Sequence, residues 1–189
     1  AYPSYREVIS YFDANKNEMV YEGISSDIFE HLNSGIVISK FDFKKQDDAK
    51  TINFGNQNSF KSWEIASGTT EDLTYMNQGS IQLIIRPKKI SNKKISFNIA
   101  CSKSQETINS TNSNICYQSF DLSKNLKDST LNTWQVIEIP LTCLQVNNFD
   151  LSSITSRASI ATKGNWIVDV HSVKYINNKG YNACKITSE

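Results

Sequence analysis

Hydrophobic and polar residues alternate along most of the chain, so that in many segments every second position is apolar. This period of two is typical of β-strands with one buried face, whereas the period of 3.6 that marks an amphipathic helix is scarce. Short stretches of Asn, Ser, Lys and Gly separate the alternating segments, as turns separate strands. The pattern predicts strands over residues 35–43, 49–54, 62–66, 80–86, 94–100, 117–122, 134–141, 158–162 and 165–175. So many strands in a chain of 189 residues predict an all-β fold, a β-sandwich of the jelly-roll kind.

Helical signals are short and lie mostly in the first 34 residues. Residues 5–12 and 26–32 have helical features, with Ser25 or Ser26 as the N-cap of the second segment, and a turn is predicted near residues 151–154. We therefore expect short helices only as accessories to the sandwich. Because no internal repeat and no linker rich in Pro or Gly divides the chain, a single domain is predicted over residues 1–189.

The balance of charges mainly excludes classes of binding partner. Lys and Arg together number 20 against 19 Asp and Glu, which gives a net charge of +1. So nearly neutral a chain has no strong field to attract a polyanion, and we expect no nucleic-acid partner. No apolar run approaches the roughly 18 residues that a membrane-spanning helix needs, so we also expect no membrane span.

The four cysteines, Cys101, Cys116, Cys143 and Cys184, form an even set without a CxxC pair, which argues against a zinc site. Two disulfides fit such a set in a polar chain. A bridge between Cys101 and Cys116 would close a polar loop that has little apolar content to hold it, and Cys143 with Cys184 is the remaining pair. Four reduced thiols are the alternative. Disulfides predict a secreted, periplasmic or extracellular location.

Motifs of the common hydrolytic and nucleotide-binding enzymes are missing, including GxSxG, HExxH, the P-loop and GxGxxG, and no catalytic residue is predicted. The polar run over residues 44–50 interrupts two strand patterns and contains Gln46, Asp47 and Asp48. Neighbouring carboxylates bind hard cations or the hydroxyl groups of sugars, so these three residues form a candidate ligand-binding cluster. The alternative interpretation is structural, with Gln46 and Asp47 capping backbone groups at a strand crossing.

Aromatic side chains are the other candidate ligand contacts, because planar rings stack on the faces of sugars. Trp63 and Trp166 share a strand face with aliphatic residues and are therefore predicted to lie in the core. Trp134 has the opposite parity to the aliphatic residues of its strand, and we predict it half exposed at the strand entrance. Trp134 and Tyr75 are our stacking candidates.

Several blocks of the sequence, in order, resemble one family. They are QDDA at residues 46–49, WQVIEIPLTCL at residues 134–144, the turn at Asp150-Leu151 and TKG at residues 162–164. With the order of the strands over residues 35–176, they resemble the C-terminal domain of exo-1,3/1,4-β-glucanases of glycoside hydrolase family 3. The resemblance implies a galactose-binding-like β-sandwich, which in such enzymes is attached to catalytic domains. Residues 1–34 are then an extension packed on the sandwich.

The leading hypothesis is a non-catalytic carbohydrate-binding or accessory module that recognises β-glucan-type sugars through Gln46, Asp47, Asp48, Tyr75 and Trp134. Sugar-binding β-sandwiches often hold a structural calcium ion, so calcium is the one candidate cofactor, although the chain has no DxDxDG-type loop. A second hypothesis is a β-sandwich that packs on a catalytic domain or another protein and binds no sugar. A third is a small hydrolase using Asp and Glu, which predicts glucan hydrolysis by the isolated chain.

Overall fold

The computed structural model describes residues 6–7, 9–13, 18–22, 29–32, 35–44, 48–56, 58–76, 78–102, 116–144, 149–177 and 187–188. Side chains are described for residue 21 and from residue 35 onward, apart from 66–69 and 187–188. The described strands form two antiparallel sheets around a hydrophobic core, so the fold is the all-β sandwich that the alternation predicts.

Both sheets combine strands from distant parts of the chain. The six-stranded sheet has the spatial order β1 (Arg6–Glu7), β4 (Phe29–Leu32), β7 (Lys61–Glu71), β12 (Ile154–Thr162), β9 (Ile95–Cys101) and β10 (Tyr117–Asp121). The eight-stranded sheet has the order β14 (Thr187–Ser188), β11 (Gln135–Pro140), β8 (Ser80–Lys89), β13 (Ile167–Ile176), β3 (Glu18–Glu22) and β2 (Ile9–Asp13). Its other two strands are β6 (Ala49–Asn53), which pairs with the first half of β13, and β5 (Val37–Phe41), which pairs with β6.

The helical segments in the described part of the chain are single turns of 3-10 helix, at Thr74–Met76, Asp128–Thr130, Leu141–Cys143 and Leu151–Ser153. The last of these confirms the turn predicted near residues 151–154. The helices predicted over residues 5–12 and 26–32 are wrong, because β2 and β4 occupy much of these segments. Helices this short gain little from propensity alone, and pairing with strands of both sheets decides the conformation. The first 32 residues thus contribute strands to each sheet.

Trp63 and Trp166 lie in the core, as the strand parity predicts. Trp63 packs on the inner face of the six-stranded sheet with Ile65, and Trp166 is buried directly before β13, in the same core cluster as Val168. The indole Nε1 of Trp166 donates a hydrogen bond to the carbonyl of Lys93 at 2.9 Å. A buried Trp N–H needs such a partner, so this bond ties the β8–β9 turn to the core.

Cys101 and Cys116 form a disulfide that joins the end of β9 to the residue before β10, with Cα atoms 4.7 Å apart. The bridge therefore closes the polar loop between these strands, as the sequence predicted. Cys143 is also disulfide-bonded, and Cys184 lies outside the described residues.

Lys50 is an ionisable side chain on the inner face of the eight-stranded sheet. It lies opposite Val170 in the β6–β13 pairing and is only 5% exposed. Its Nζ lies 5.7 Å from the centroid of the Trp63 ring. Burial disfavours the ammonium form and lowers the pKa of Lys50 to about 7.

Candidate functional site

The outward face of the eight-stranded sheet carries the polar residues that alternate with its core residues. Val168 and Val170 of β13 point inward, so Asp169 between them points outward. Asp169 lies opposite Thr51 of β6 on one side and Arg86 of β8 on the other. Three neighbouring strands thus place these three side chains side by side on the outer face.

Asp169 organises this row through its two carboxylate oxygens. Its Oδ1 accepts a hydrogen bond from the Thr51 hydroxyl at 2.6 Å, and its Oδ2 accepts from Arg86 Nε at 2.7 Å. A terminal guanidinium nitrogen of Arg86 also lies 2.7 Å from Oδ2. Because the Asp169 side chain is only 1% exposed, the carboxylate is a buried support that fixes the more exposed guanidinium.

Trp134 lies directly before β11, at the point where this strand begins to pair with β8. Asn132, two residues earlier, has a left-handed φ of 60°, which Asn tolerates better than most residues, and its N–H donates to the carbonyl of Pro87 at 2.8 Å. Gln135 pairs with Ile85, which brings Trp134 beside the neighbouring Arg86. The indole is half-buried, as the parity of its strand predicted.

Three aromatic rings and one guanidinium meet at this position, and we call Phe41, Phe43, Trp134 and Arg86 the aromatic platform. The Phe43 and Trp134 centroids are 4.4 Å apart with planes tilted by 33°, and those of Phe41 and Trp134 are 6.4 Å apart. The guanidinium carbon of Arg86 lies 4.6 Å from the Trp134 ring and 5.7 Å from the Phe41 ring. Cation–π attraction and ring packing therefore hold the platform together.

Asp48 fixes the turn that presents Phe43. Its carboxylate accepts hydrogen bonds from the backbone N–H groups of Phe43, at 2.7 Å, and of Lys44, at 3.0 Å. His171 Nδ1 lies 3.0 Å from the carbonyl of Asp48, and the His171 ring packs edge-on against Phe43 at 5.1 Å. Asp48 thus acts as a backbone cap, and its carboxylate is buried beneath the turn.

The other predicted site residues are placed differently. Gln46 and Asp47 lie outside the described residues. Tyr75, which is 45% exposed, belongs to the 3-10 turn shortly before Ser80 at the start of β8. Trp134 lies beside Arg86, near the other end of that strand, about 20 Å further along at 3.3 Å per residue. Trp134 and Tyr75 therefore lie toward opposite ends of β8.

Sequence reasoning missed Phe41, Phe43, Arg86, Asp169 and His171 as members of this site. The spacing of Phe41 and Phe43 is the one signal that was available, because two aromatic residues two positions apart occupy one strand face. Nothing in the local sequence links them to Arg86 or Trp134, which come from strands far along the chain.

Among the described side chains, no group of three or more His, Cys, Asp or Glu lies close enough together to hold a metal ion. Within the same part of the chain, no helix combines the length and the apolar character that crossing a membrane requires.

Comparison with known proteins gives consistent similarities. The Exop_C family, described as galactose-binding domain-like, matches residues 10–175. The fold resembles the extra C-terminal domain of the exo-1,3/1,4-β-glucanase ExoP from a Pseudoalteromonas species, with a TM-score of 0.52, 15% identity, and coverage of 92% of this chain and 79% of that one. The match to the whole ExoP enzyme has a TM-score of 0.53 at 16% identity, and covers 86% of this chain and 17% of the enzyme.

A similar fold occurs in the family 30 carbohydrate-binding module of a cellulosomal cellulase from Clostridium thermocellum. The TM-score is 0.61 at 15% identity, and the match covers 95% of this chain and 96% of the module. A search of curated proteins gives no match. At these identities the solved structures show the likeness of the fold.

Proposed function

The chain belongs to the Exop_C family of galactose-binding domain-like proteins, and from that premise we propose that it is a non-catalytic carbohydrate-binding module. The observation that carries the proposal is the aromatic platform on the outward face of the eight-stranded sheet. Phe43 is 36% exposed there, and the half-buried Trp134 supports it from a packed position. A sheet face of this kind offers a sugar ring both apolar area and hydrogen-bond donors.

The platform suits a sugar because its parts are already ordered. The Asp169 carboxylate holds Arg86, and the Asp48 carboxylate holds the turn of Phe43, so that binding orders few side chains. The C–H face of a pyranose ring packs on an aromatic ring, while guanidinium N–H groups donate to hydroxyl oxygens. Arg86 has one quarter of its side chain exposed for this purpose.

We propose β-glucan-type sugars as the ligand class and a glycoside hydrolase as the parent or partner. The similarity to ExoP, an exo-1,3/1,4-β-glucanase whose extra C-terminal domain has a similar fold, supports both assignments. The Cys101–Cys116 disulfide supports a secreted or periplasmic location, because disulfides persist in oxidising compartments.

The predicted polar residues take distinct roles in this proposal. Gln46 and Asp47 follow Phe43 closely in sequence and would supply polar contacts to the ligand. Asp48 acts through the position of Phe43, since its carboxylate is engaged with the backbone. Tyr75 would contact only a longer ligand, at a separate point.

A specific observation also favours the second candidate, a protein-interaction module that binds no sugar. Val37 and Val136 are exposed on the strands that border the platform, so the outward face has apolar area beyond the three rings. Apolar surface of this kind is also what a packed partner domain covers.

The test is calorimetric titration of the purified chain with soluble β-glucans, xylan and monosaccharides. We expect saturable binding of a β-glucan, and at least about a tenfold loss of affinity in Trp134→Ala and in Phe43→Ala, given the energy of stacking contacts. Tyr117→Ala is the matched control, because Tyr117 is an exposed aromatic residue of the other sheet. No binding of any sugar in the panel would overturn the proposal and favour the protein-interaction module.

A further inference from the structure

Two adjoining grooves flank the turn between β8 and β9, at one end of the sandwich. The first, of about 450 Å³, lies between this turn and residues 123–128 and reaches Trp166. The second, of about 360 Å³, extends toward Phe60 and Lys163. Both are lined by Lys93 and Lys94, so the turn forms the ridge that the two grooves share. The aromatic platform contributes to neither.

Four lysines line these grooves, namely Lys93, Lys94, Lys127 and Lys163, and Asp128 is the one carboxylate in the linings. None of the four lysines forms an ion pair within 4.0 Å with any residue that the structure describes. Nearby, Asp121 interacts electrostatically with Lys94. The chain as a whole has a net charge of +1, so this excess of ammonium groups is a local feature.

The backbone beneath the lysines is fixed from several sides. The carbonyl of Lys93 accepts from the Trp166 indole at 2.9 Å, and that of Lys94 accepts from the Thr162 hydroxyl at 2.7 Å. A side chain at Gly164 would collide with Ser91 in the turn, so the neighbouring β12–β13 connection packs closely against it. The turn thus presents its ammonium groups from a rigid base, which lowers the entropy cost of binding.

From this geometry we infer that the grooves bind an acidic glycan, with the lysines recognising sulfate or carboxylate groups. Phe60, which is 59% exposed on the wall of the second groove, supplies an apolar face for a sugar ring. Ammonium groups with no carboxylate at ion-pair distance make charge-assisted hydrogen bonds to such anions. The inference that the bound anion belongs to a glycan rests on the proposed function. The observation that the grooves are cationic does not depend on it.

The test is calorimetric titration with a sulfated galactan tetrasaccharide, its desulfated counterpart and an alginate tetrasaccharide, at low and at high salt. We expect saturable binding of a charged tetrasaccharide that weakens with salt, and none of the desulfated one. Binding of the sulfated galactan alone identifies sulfate, and binding of alginate identifies carboxylate. Lys93→Gln/Lys94→Gln should lower the affinity at least about tenfold, because two charge-assisted hydrogen bonds are lost.

The matched control is Lys88→Gln/Lys89→Gln, which removes the same charge from exposed lysines of the same hairpin outside the groove linings. We expect it to change the affinity less than about twofold, since these side chains lie outside both grooves and water and salt screen their charges from the bound anion. If the first double variant does not fold, Lys127→Gln/Lys163→Gln replaces it with the same expectation.

Unchanged affinity in the groove variants, or equal binding of the desulfated tetrasaccharide, would overturn the inference. Equally tight binding of duplex DNA or of phosphatidylserine vesicles would overturn the choice of a glycan. Trp134→Ala separates this site from the platform, because it should lower the β-glucan affinity at least about tenfold and leave binding of the acidic tetrasaccharide unchanged.

Discussion

Lys50 should make the stability of this protein rise between neutral and mildly alkaline pH. Its pKa is lowered from 10.5 to about 7 by burial beneath the β6–β13 pairing, so the folded protein holds fewer protons than the unfolded chain between these values. A state that binds fewer protons is favoured as pH rises. The folded state is therefore stabilised by raising pH through this window, and below it the penalty of burying the ammonium is constant.

The size of the effect follows from the two pKa values. One pKa unit of difference between the folded and the unfolded protein corresponds to about 1.4 kcal/mol. The free-energy penalty of burying the Lys50 side chain is therefore about 4 kcal/mol near pH 7 and about 2 kcal/mol near pH 9. Replacing Lys50 with Met, whose thioether side chain is uncharged and of similar length, removes this penalty. Lys50→Met should thus be more stable than the wild type, and its advantage in the free energy of unfolding should shrink by about 2 kcal/mol across that range.

Urea unfolding followed by tryptophan fluorescence measures both proteins at several pH values. The titration should stop below pH 10, because burial raises the pKa of Tyr175 and ionisation of this residue in the unfolded chain then destabilises the fold. Lys163→Met, at an exposed lysine, is the control and should parallel the wild type. If the free energy of unfolding of Lys50→Met has the same pH dependence as that of the wild type, Lys50 is not a buried neutral amine and the reasoning is refuted.

Three further sets of substitutions test the candidate site and the structure that supports it. Asp169→Ala should lower the free energy of unfolding by about 3 kcal/mol, because it leaves a guanidinium unpaired, and a loss under about 1 kcal/mol in urea unfolding would contradict this. Asp48→Ala should lower both stability and β-glucan affinity, whereas Asp47→Ala should lower affinity alone; calorimetric titrations unchanged in both would remove these residues from the site. Cys101→Ser/Cys116→Ser should destabilise by about 3 kcal/mol in thermal unfolding, and an unchanged midpoint would argue against this bridge.

The strands were predictable where the alternation is regular, but two of them are much longer than predicted. β7 runs over Lys61–Glu71 and β12 over Ile154–Thr162, whereas the pattern predicts only residues 62–66 and 158–162. The register between these strands shifts between Ile154 and Ala158, and each shift interrupts the period of two. Polar residues also occupy the second half of β7, so the alternation ends before the strand does.

The sequence by itself determined the all-β class, the core positions of Trp63 and Trp166, the half-buried state of Trp134 and the Cys101–Cys116 loop. These are local properties, since strand parity and short loops depend only on neighbouring residues. The tertiary structure decided which surface residues meet. Phe43, Arg86 and Trp134 come from three separate segments, and only the pairing of β5, β6, β13, β8 and β11 brings them within contact of one another. Sheet order depends on contacts between residues far apart in the chain, so periodicity along the sequence carries no information about it.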